Sequence, residues 1–314
     1  MMGAMSRRAL FLFAGLGVLW GIPYLFIKIA VVELSPEFLV LARCLLAAAL
    51  LLPIALRRRA LTPVLRRWKP VLAFTIIEIA LPFYALGAAE INLSSSTTGL
   101  LLASVPLVAI GVAFVMGRRH RITVLNWLGV AIGMAGVVAI VGFDLGGSNL
   151  TSVALVGVAV IGYSLGPAIL ARYLNDLAGI GVITAALALC VLIYLPVVAV
   201  TGGWPAIVPS TTVIVSVIVL AVLCSAVAFL MMFALIAEIG PVRTTAITYV
   251  NPAVAVVAGA LVLSEPVTIY TGLGFALILI GCWLVTKPER RPAAEKAESS
   301  PSLEPERPLE GLPL

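Results

Sequence analysis

Ten apolar runs divide this sequence, and they limit its fold more than any other feature. Cut at charge clusters and at Gly, Pro, Ser and Asn breaks, they cover roughly residues 9–32, 36–56, 71–89, 95–117, 124–142, 152–172, 179–200, 213–237, 242–264 and 267–286. A helix needs about 20 apolar residues to cross about 30 Å of hydrocarbon, and the runs are close to that length. Hydrophobic residues make up 62% of the chain and charged residues only 11%, against about 45–50% and about 25% in soluble domains. A water-soluble fold of this size cannot hide so much apolar surface. The sequence therefore reads as an all-α membrane protein with ten transmembrane helices. Its start, "MSRRALFLFAGLGVLWG", has the look of a secretory or twin-arginine signal. The apolar run continues to Val32 without a clear cleavage site, so it is taken as the first span.

An even number of spans puts both termini on one side. With that side in the cytoplasm, 18 of the 20 Lys and Arg residues fall inside, in the loops around Arg7, Arg57, Arg118, Arg172 and Arg243 and in the tail. The outer loops hold none, as the positive-inside rule requires; they carry Glu33, Glu90, Asp144 and Glu265. This basic inner face accounts for the net charge of +6. Its loops are short and flanked by membrane, which argues against nucleic acid as a partner. Residues 287–314 carry 11 of the 34 charges, six prolines and no aromatic residue, the composition of a disordered cytoplasmic tail. Cys44, Cys190, Cys224 and Cys282 sit in apolar runs and read as small buried hydrophobes. His120, the one histidine, stands among Arg118, Arg119 and Arg121 in a basic loop. No metal site or cofactor motif is found.

The stretch "TTAITYVNPAVAVVAGALVLSEP" (244–266) is apolar yet holds Asn251-Pro252 and ends on Glu265-Pro266. An internal repeat frames it. With Pro106 set against Pro252, an offset of 146, Phe83/Phe229, Ala88/Ala234, Thr98/Thr244 and Val108/Val254 coincide. One residue out of step, Thr123/Thr268, Gly129/Gly274 and Gly136/Gly281 follow. Breaker proline, threonine, then two glycines seven apart occur in both halves. The chain thus reads as two five-helix repeats, residues 1–142 and 151–286. Five being odd, the second enters the membrane with opposite sense. Inverted repeats of this kind belong to secondary transporters, with the substrate near the midplane between them. Pro252 removes a helical hydrogen bond and frees a carbonyl that a protein-lined aqueous cavity can satisfy and lipid cannot. Tyr249 and Asn251 place polar groups beside the break. The alternative is a packing kink with Asn251 bonded to a neighbouring helix. Glu265 is expected at the rim.

The segment "GVLWGIPYLFIKIAVVELSPEFLVLARCLLAAALLL" (17–52), with Trp20, Gly21, Lys28, Pro36 and Arg43 in order, resembles the start of the EamA branch of the drug/metabolite transporter superfamily. The Asn-Pro, Glu-Pro and Gly-rich close of the second repeat resembles the same family, and the likeness covers about residues 9–286. It implies a ten-helix bundle around a central substrate cavity. It also implies transport of small metabolites, commonly amino acids, often outward. Where the family often repeats the helix-end glutamate in the first half, this chain has Arg119 or His120, which weakens any mechanism built on a symmetric carboxylate pair.

Three charges lie well inside spans, and such groups mark functional sites by default. Lys28 is near the outer end of its helix and can snorkel. Arg43 lies about 10 Å deep at 1.5 Å per residue. Glu78 is about seven residues above the inner end. A permanent Arg43–Glu78 ion pair would be structural; an unpaired Glu78 could carry a coupled proton or bind a substrate ammonium. Trp20, Tyr24, Tyr84, Tyr163 and Tyr249 suit a cavity wall, or equally an amphipathic packing seam. Pro252 completes the set of cavity candidates. The glycines at 129, 133 and 136 suit close helix contact. The competing class is a membrane-embedded enzyme acting on lipid or peptide. The spans hold no His, no Asp and no GxSxG or HExxH motif, so no catalytic residue is assigned. The absence of GxxxxGK[ST] argues against direct drive by ATP. The expected partners are a small-molecule solute, membrane lipid and, as candidate coupling ion, a proton; the sequence sets no oligomeric state.

Overall fold

The computed structural model describes residues 6–115, 124–144, 150–240 and 244–286. The loop around Arg118–Arg121, Arg243 and the tail 287–314 lie outside the described residues. Every regular element among the described residues is helical. In chain order the main segments are α1 (Arg7–Ala30), α2 (Pro36–Arg57), α3 (Trp68–Glu90), α4 (Ser95–Val112), α5 (Val124–Ile140), α6 (Leu150–Leu174), α7 (Gly179–Thr201), α8 (Thr211–Ile239), α9 (Ile247–Leu263) and α10 (Ile269–Leu284). All but α5, α9 and α10 are long and apolar enough to cross a membrane; those three are shorter apolar helices. These segments overlap the ten apolar runs and are compatible with ten spans. A short helix, Leu61–Arg66, links α2 to α3.

Local chemistry starts and stops these helices. Ser6, Ser35, Ser94 and Ser210 are N-caps whose hydroxyls accept from the backbone N–H three residues on, at 3.0, 3.3, 3.0 and 3.4 Å, satisfying donors that helix starts leave free. Gly202 ends α7 with φ +69°, a left-handed turn that glycine adopts without strain.

Several helices are interrupted, each in an identifiable way. Pro23 divides α1 after the bend at Ile22. In α4 the helix stops at Leu102 and resumes at Val105, because Pro106 cannot donate. The Leu107 N–H turns to the Ser104 carbonyl at 2.9 Å, and the Ala103 carbonyl it leaves accepts from the Cys282 thiol of α10 at 3.2 Å. In α9 a 3₁₀ turn, Thr245–Tyr249, precedes the α-helix Asn251–Leu263, with Pro252 in its first turn. The interior of α3 is π-helical over Thr75–Ala80, and the Leu81 N–H donates five residues back to Ile76. Pro82 lies just beyond; one extra residue in the turn accommodates its missing donor. A second π turn, Val222–Val227, lies inside α8. No proline accompanies it. Instead the Ser225 hydroxyl donates to the Leu220 carbonyl, five residues back, at 2.9 Å.

The segments pack chiefly as five pairs: α5 with α10, α2 with α7, α3 with α6, α4 with α9, and α1 with α8. The glycines seven apart meet at the first of these seams. A side chain on Gly281 would come within 2.5 Å of the Gly129 carbonyl, and one on Gly136 within 2.6 Å of the Gly274 carbonyl. Small residues thus let the two backbones touch where the hydrophobic effect cannot draw helices together. One core joins α2, α3, α7 and α8 around Val40, Leu51, Ile79 and Leu187. Another joins α1, α4, α6, α8 and α10 around Ile27, Leu100, Val156, Leu220 and Ile278. All four cysteines are buried. Outward faces remain apolar: Val200 is 88% exposed and Leu261 80%, side chains suited to lipid rather than water.

Candidate functional site

Of the three π turns among the described residues, that of Leu170–Leu174 ends α6, and those inside α3 and α8 carry polar groups of the interior. The turn in α3 carries Glu78, and the turn in α8 carries Ser225. They start 147 residues apart, at Thr75 and Val222, so Cys224 and Ser225 occupy the place in α8 that Glu78 holds in α3. Such turns add a residue to the helix and turn a side chain that regular helix would direct elsewhere; they often mark functional sites. From α2, Arg43 reaches into the same region. It is buried, its Nε donates to Ser225 Oγ at 2.9 Å, and its guanidinium carbon lies 3.8 Å from the centroid of the Phe83 ring.

Glu78 and Arg43 are not paired: among the described residues neither ion pair involves them. Instead Glu78 packs against Gly166 of α6, where any side chain would collide with its carboxylate. Glu78 Oε2 is enclosed there without a hydrogen-bond partner. Gly162 and Gly166, one helical turn apart, are the reason α6 can lie so close; a side chain on Gly162 would strike Pro82 at 2.7 Å and the Ile77 carbonyl nearer still.

The aromatic candidates divide. Tyr24 and Tyr163 pack, partly buried, against the second core, Tyr24 beside Gly99 of α4. Trp20 packs edge-on to Phe229, centroids 5.8 Å apart, and Tyr84 stacks on Tyr194 at 6.3 Å. Tyr194 in turn donates to the Ala80 carbonyl at the end of the α3 π turn, at 2.9 Å. Tyr249 donates to the Cys282 carbonyl of α10 at 3.2 Å. Oriented by its hydrogen-bonding neighbours, the Asn251 amide donates to the carbonyls of Ile247 and Gly17, each at 3.1 Å. In this conformation α1 engages Asn251, the packing arrangement weighed for the broken helix. Pro252 is buried.

Two acidic residues differ from expectation. Glu90, assigned to an outer loop, is the last residue of α3 and is fully buried, both carboxylate oxygens lacking a hydrogen-bond partner. Its burial follows from Lys28, whose ammonium donates to the carbonyls of Glu90 and Leu93 at 2.6 and 2.9 Å and so draws the end of α3 against α1. Lys28 thus finds helix-end carbonyls, where a cation is favoured. Glu265 is half-buried and accepts from the backbone N–H groups of Ser95 and Ser96 at 2.8 and 2.9 Å and from both hydroxyls. It caps α4 from 170 residues away. Above these groups lies an open pocket of about 550 Å³, lined by Lys28, Glu33, Asn92, Ser210 and Glu265 among others. Ser210 donates to Glu33 at 2.7 Å, and its hydrogen bonds hold that carboxyl below its ordinary value.

Sequence reasoning missed Phe83, Ser225 and Gly166. Extending the 146-residue alignment by five residues toward the N-terminus would have set Glu78 against Cys224 and drawn attention to Ser225; the contact with Arg43 has no local signal.

Long apolar helices, lipid-suited outer faces and buried interior charges make this a multi-pass membrane protein of the transporter class. The model of the EamA-like transporter family matches residues 7–142 and again residues 150–287. The chain belongs to that family, which points to a transporter rather than an enzyme. It is similar to the uncharacterized inner membrane transporter YedA of Escherichia coli strain K12, 28% identical over 275 residues covering 86% of this chain and 87% of that one. It is also similar to the uncharacterized transporter YvbV of Bacillus subtilis, 26% identical over 297 residues, 92% of this chain and 95% of that one. One solved crystal structure superposes with a TM-score of 0.65 over 95% of this chain and 100% of its own, at 17% identity, a likeness of fold alone.

Proposed function

We propose that this chain is a secondary transporter that moves a small metabolite, an amino acid or related compound, outward across the bacterial cytoplasmic membrane by alternating access. Both termini lie in the cytoplasm, and the ten helices form two inverted repeats. The observation that carries this reading is the pair of π turns in α3 and α8, 147 residues apart, one bearing a carboxylate with an enclosed, unpartnered oxygen and the other holding a buried guanidinium. Broken helices at Pro106 and Pro252 repeat the pattern at an offset of 146 residues. The helix pairs agree with it: exchanging the halves turns α3–α6 into α8–α1 and returns α2–α7, α4–α9 and α5–α10 to themselves. The two matches to the family also support two repeats, and the name of the E. coli relative supports the inner membrane. A central site between similar halves can open to either side when the halves exchange conformations. Glu78, free of an ion-pair partner, is the candidate for a coupled proton.

The test is a flux screen in proteoliposomes loaded with a metabolite mixture, with and without a pH gradient. Outward movement of one solute class, accelerated by the gradient, is expected; no movement of any solute refutes transport. Reporter fusions at residues 144 and 205 are expected outside and those at 60 and 176 inside. Reversal at any two of these sites refutes the inverted-repeat topology.

A further inference from the structure

Arg43 is held by two contacts that leave most of it unused. A guanidinium presents five N–H donors in a planar fork. The Nε donor goes to Ser225 Oγ. Ser225 has one hydrogen, and it goes to the Leu220 carbonyl; the hydroxyl is therefore oriented as an acceptor toward Arg43. Phe83 covers one face of the fork. The four donors on Nη1 and Nη2 reach no acceptor among the described residues. The fully enclosed side-chain atoms without partners are oxygens of Glu78 and Glu90. The Arg43 nitrogens are not among them, so they keep contact with open space.

A buried charge with a single hydrogen bond is a poor structural device, because a neutral side chain would avoid the desolvation cost. A fork fixed at its stem, stacked on one face and free at its tips matches the bidentate geometry by which guanidinium holds a carboxylate or phosphate. We infer that Arg43 is the receptor for an oxyanion group, carboxylate or phosphate, on the transported solute, with Ser225 as its positioning residue. This rests on the transporter reading above and adds the charge class of the substrate.

The experiment uses the purified full chain in detergent and three probes of similar shape: benzoate, phenyl phosphate and the neutral benzamide. Binding is read by calorimetry and by ligand-induced shift of the melting temperature. Wild type is expected to bind one or both anions and not benzamide, and the better of the two identifies carboxylate or phosphate. Arg43→Lys keeps the charge and loses the fork, and is expected to weaken anion binding by about tenfold or more. Ser225→Ala is expected to weaken it about three- to tenfold, with Ser225→Thr restoring it; a merely structural role would not follow the hydroxyl. If Arg43→Lys fails to fold, the Ser225 pair decides. Equal binding of benzamide, no binding of either anion by wild type, or wild-type affinity in Ser225→Ala overturns the inference. The same probes loaded into proteoliposomes separate the two readings. Anion binding without flux keeps the oxyanion site and removes the transport reading; flux of a metabolite without anion binding does the reverse.

Discussion

Replacing Glu265 by Gln tests whether a single carboxylate fastens α9 to the start of α4. Ser264 turns the chain out of α9 with φ +55°, and the Glu265 N–H bonds back to the Gly259 carbonyl at 3.2 Å. This aims the carboxylate at the N-terminus of α4, where it accepts from two backbone N–H groups and two hydroxyls. A carboxamide offers one accepting oxygen. The hydroxyls can turn to accept from its NH₂, but the Ser95 and Ser96 N–H groups are aimed at different oxygens, so with the side chain in place one of them faces the NH₂ and loses its acceptor. That costs about 1–3 kcal/mol, and removing the negative charge from a helix N-terminus costs about 0.3–1 kcal/mol more. Glu265 is only half-buried, so the low ends apply, about 1.3 kcal/mol in all. At about 2–4 °C per kcal/mol for larger domains, Glu265→Gln should melt about 3–5 °C below wild type in detergent, read by intrinsic fluorescence. Gly259→Ala gives an independent check. The added methyl would lie 2.5 Å from Ser96 Oγ and 2.8 Å from Ser95 Oγ, and nearer still to the Glu265 carboxylate. Alanine alone favours a helix by about 1 kcal/mol, so a fall in melting temperature reports the clash. If both variants melt within about 1 °C of wild type, the cap contributes nothing and the reasoning fails.

Glu78→Gln should fold and express normally, because no ion pair is broken, while transport or its pH dependence is lost in the proteoliposome assay; unchanged flux across pH would leave Glu78 a bystander. Gly281→Leu should separate α5 from α10, since the side chain would meet the Gly129 carbonyl and Gly133 backbone; low yield and aggregation on size-exclusion chromatography are expected, and a monodisperse, stable variant counts against the seam. Arg67 donates to both Asp176 oxygens at 2.6 and 2.7 Å and holds that carboxyl below its ordinary value. A lowered carboxylate pKa stabilises the fold above the unfolded value, about 3.9, and the contribution is lost as pH falls through the lower folded value. The small difference in melting temperature between wild type and Asp176→Asn should therefore be present at about pH 5–7 and fade as the pH falls through the lowered folded value, and it should shrink in high salt; a pH-independent difference contradicts the assignment.

Ten apolar runs, the broken helices at Pro106 and Pro252 and the glycines of α5 and α10 were legible in the sequence because each obeys a local rule. Lipid satisfies no backbone donor, so a spanning segment must be helical and apolar along its length. Proline breaks the helix it occupies, and a glycine stripe marks a face on which another backbone can lie. The pairing of interior charges follows no such rule. Arg43 and Glu78 had opposite signs but backbone heights roughly 10 Å apart, and helix rotation and neighbouring glycines send Glu78 to Gly166 and leave Arg43 to Ser225, 182 residues along the chain. Glu90 read as a loop residue because it ends an apolar run, and it is buried because Lys28 pulls the end of its helix inward. Glu265 read as a rim residue and caps a helix from the other half of the chain. Hydropathy along one helix states that it crosses the membrane. Which of its faces meets which neighbour depends on contacts among all the helices at once, and only the tertiary structure decides it.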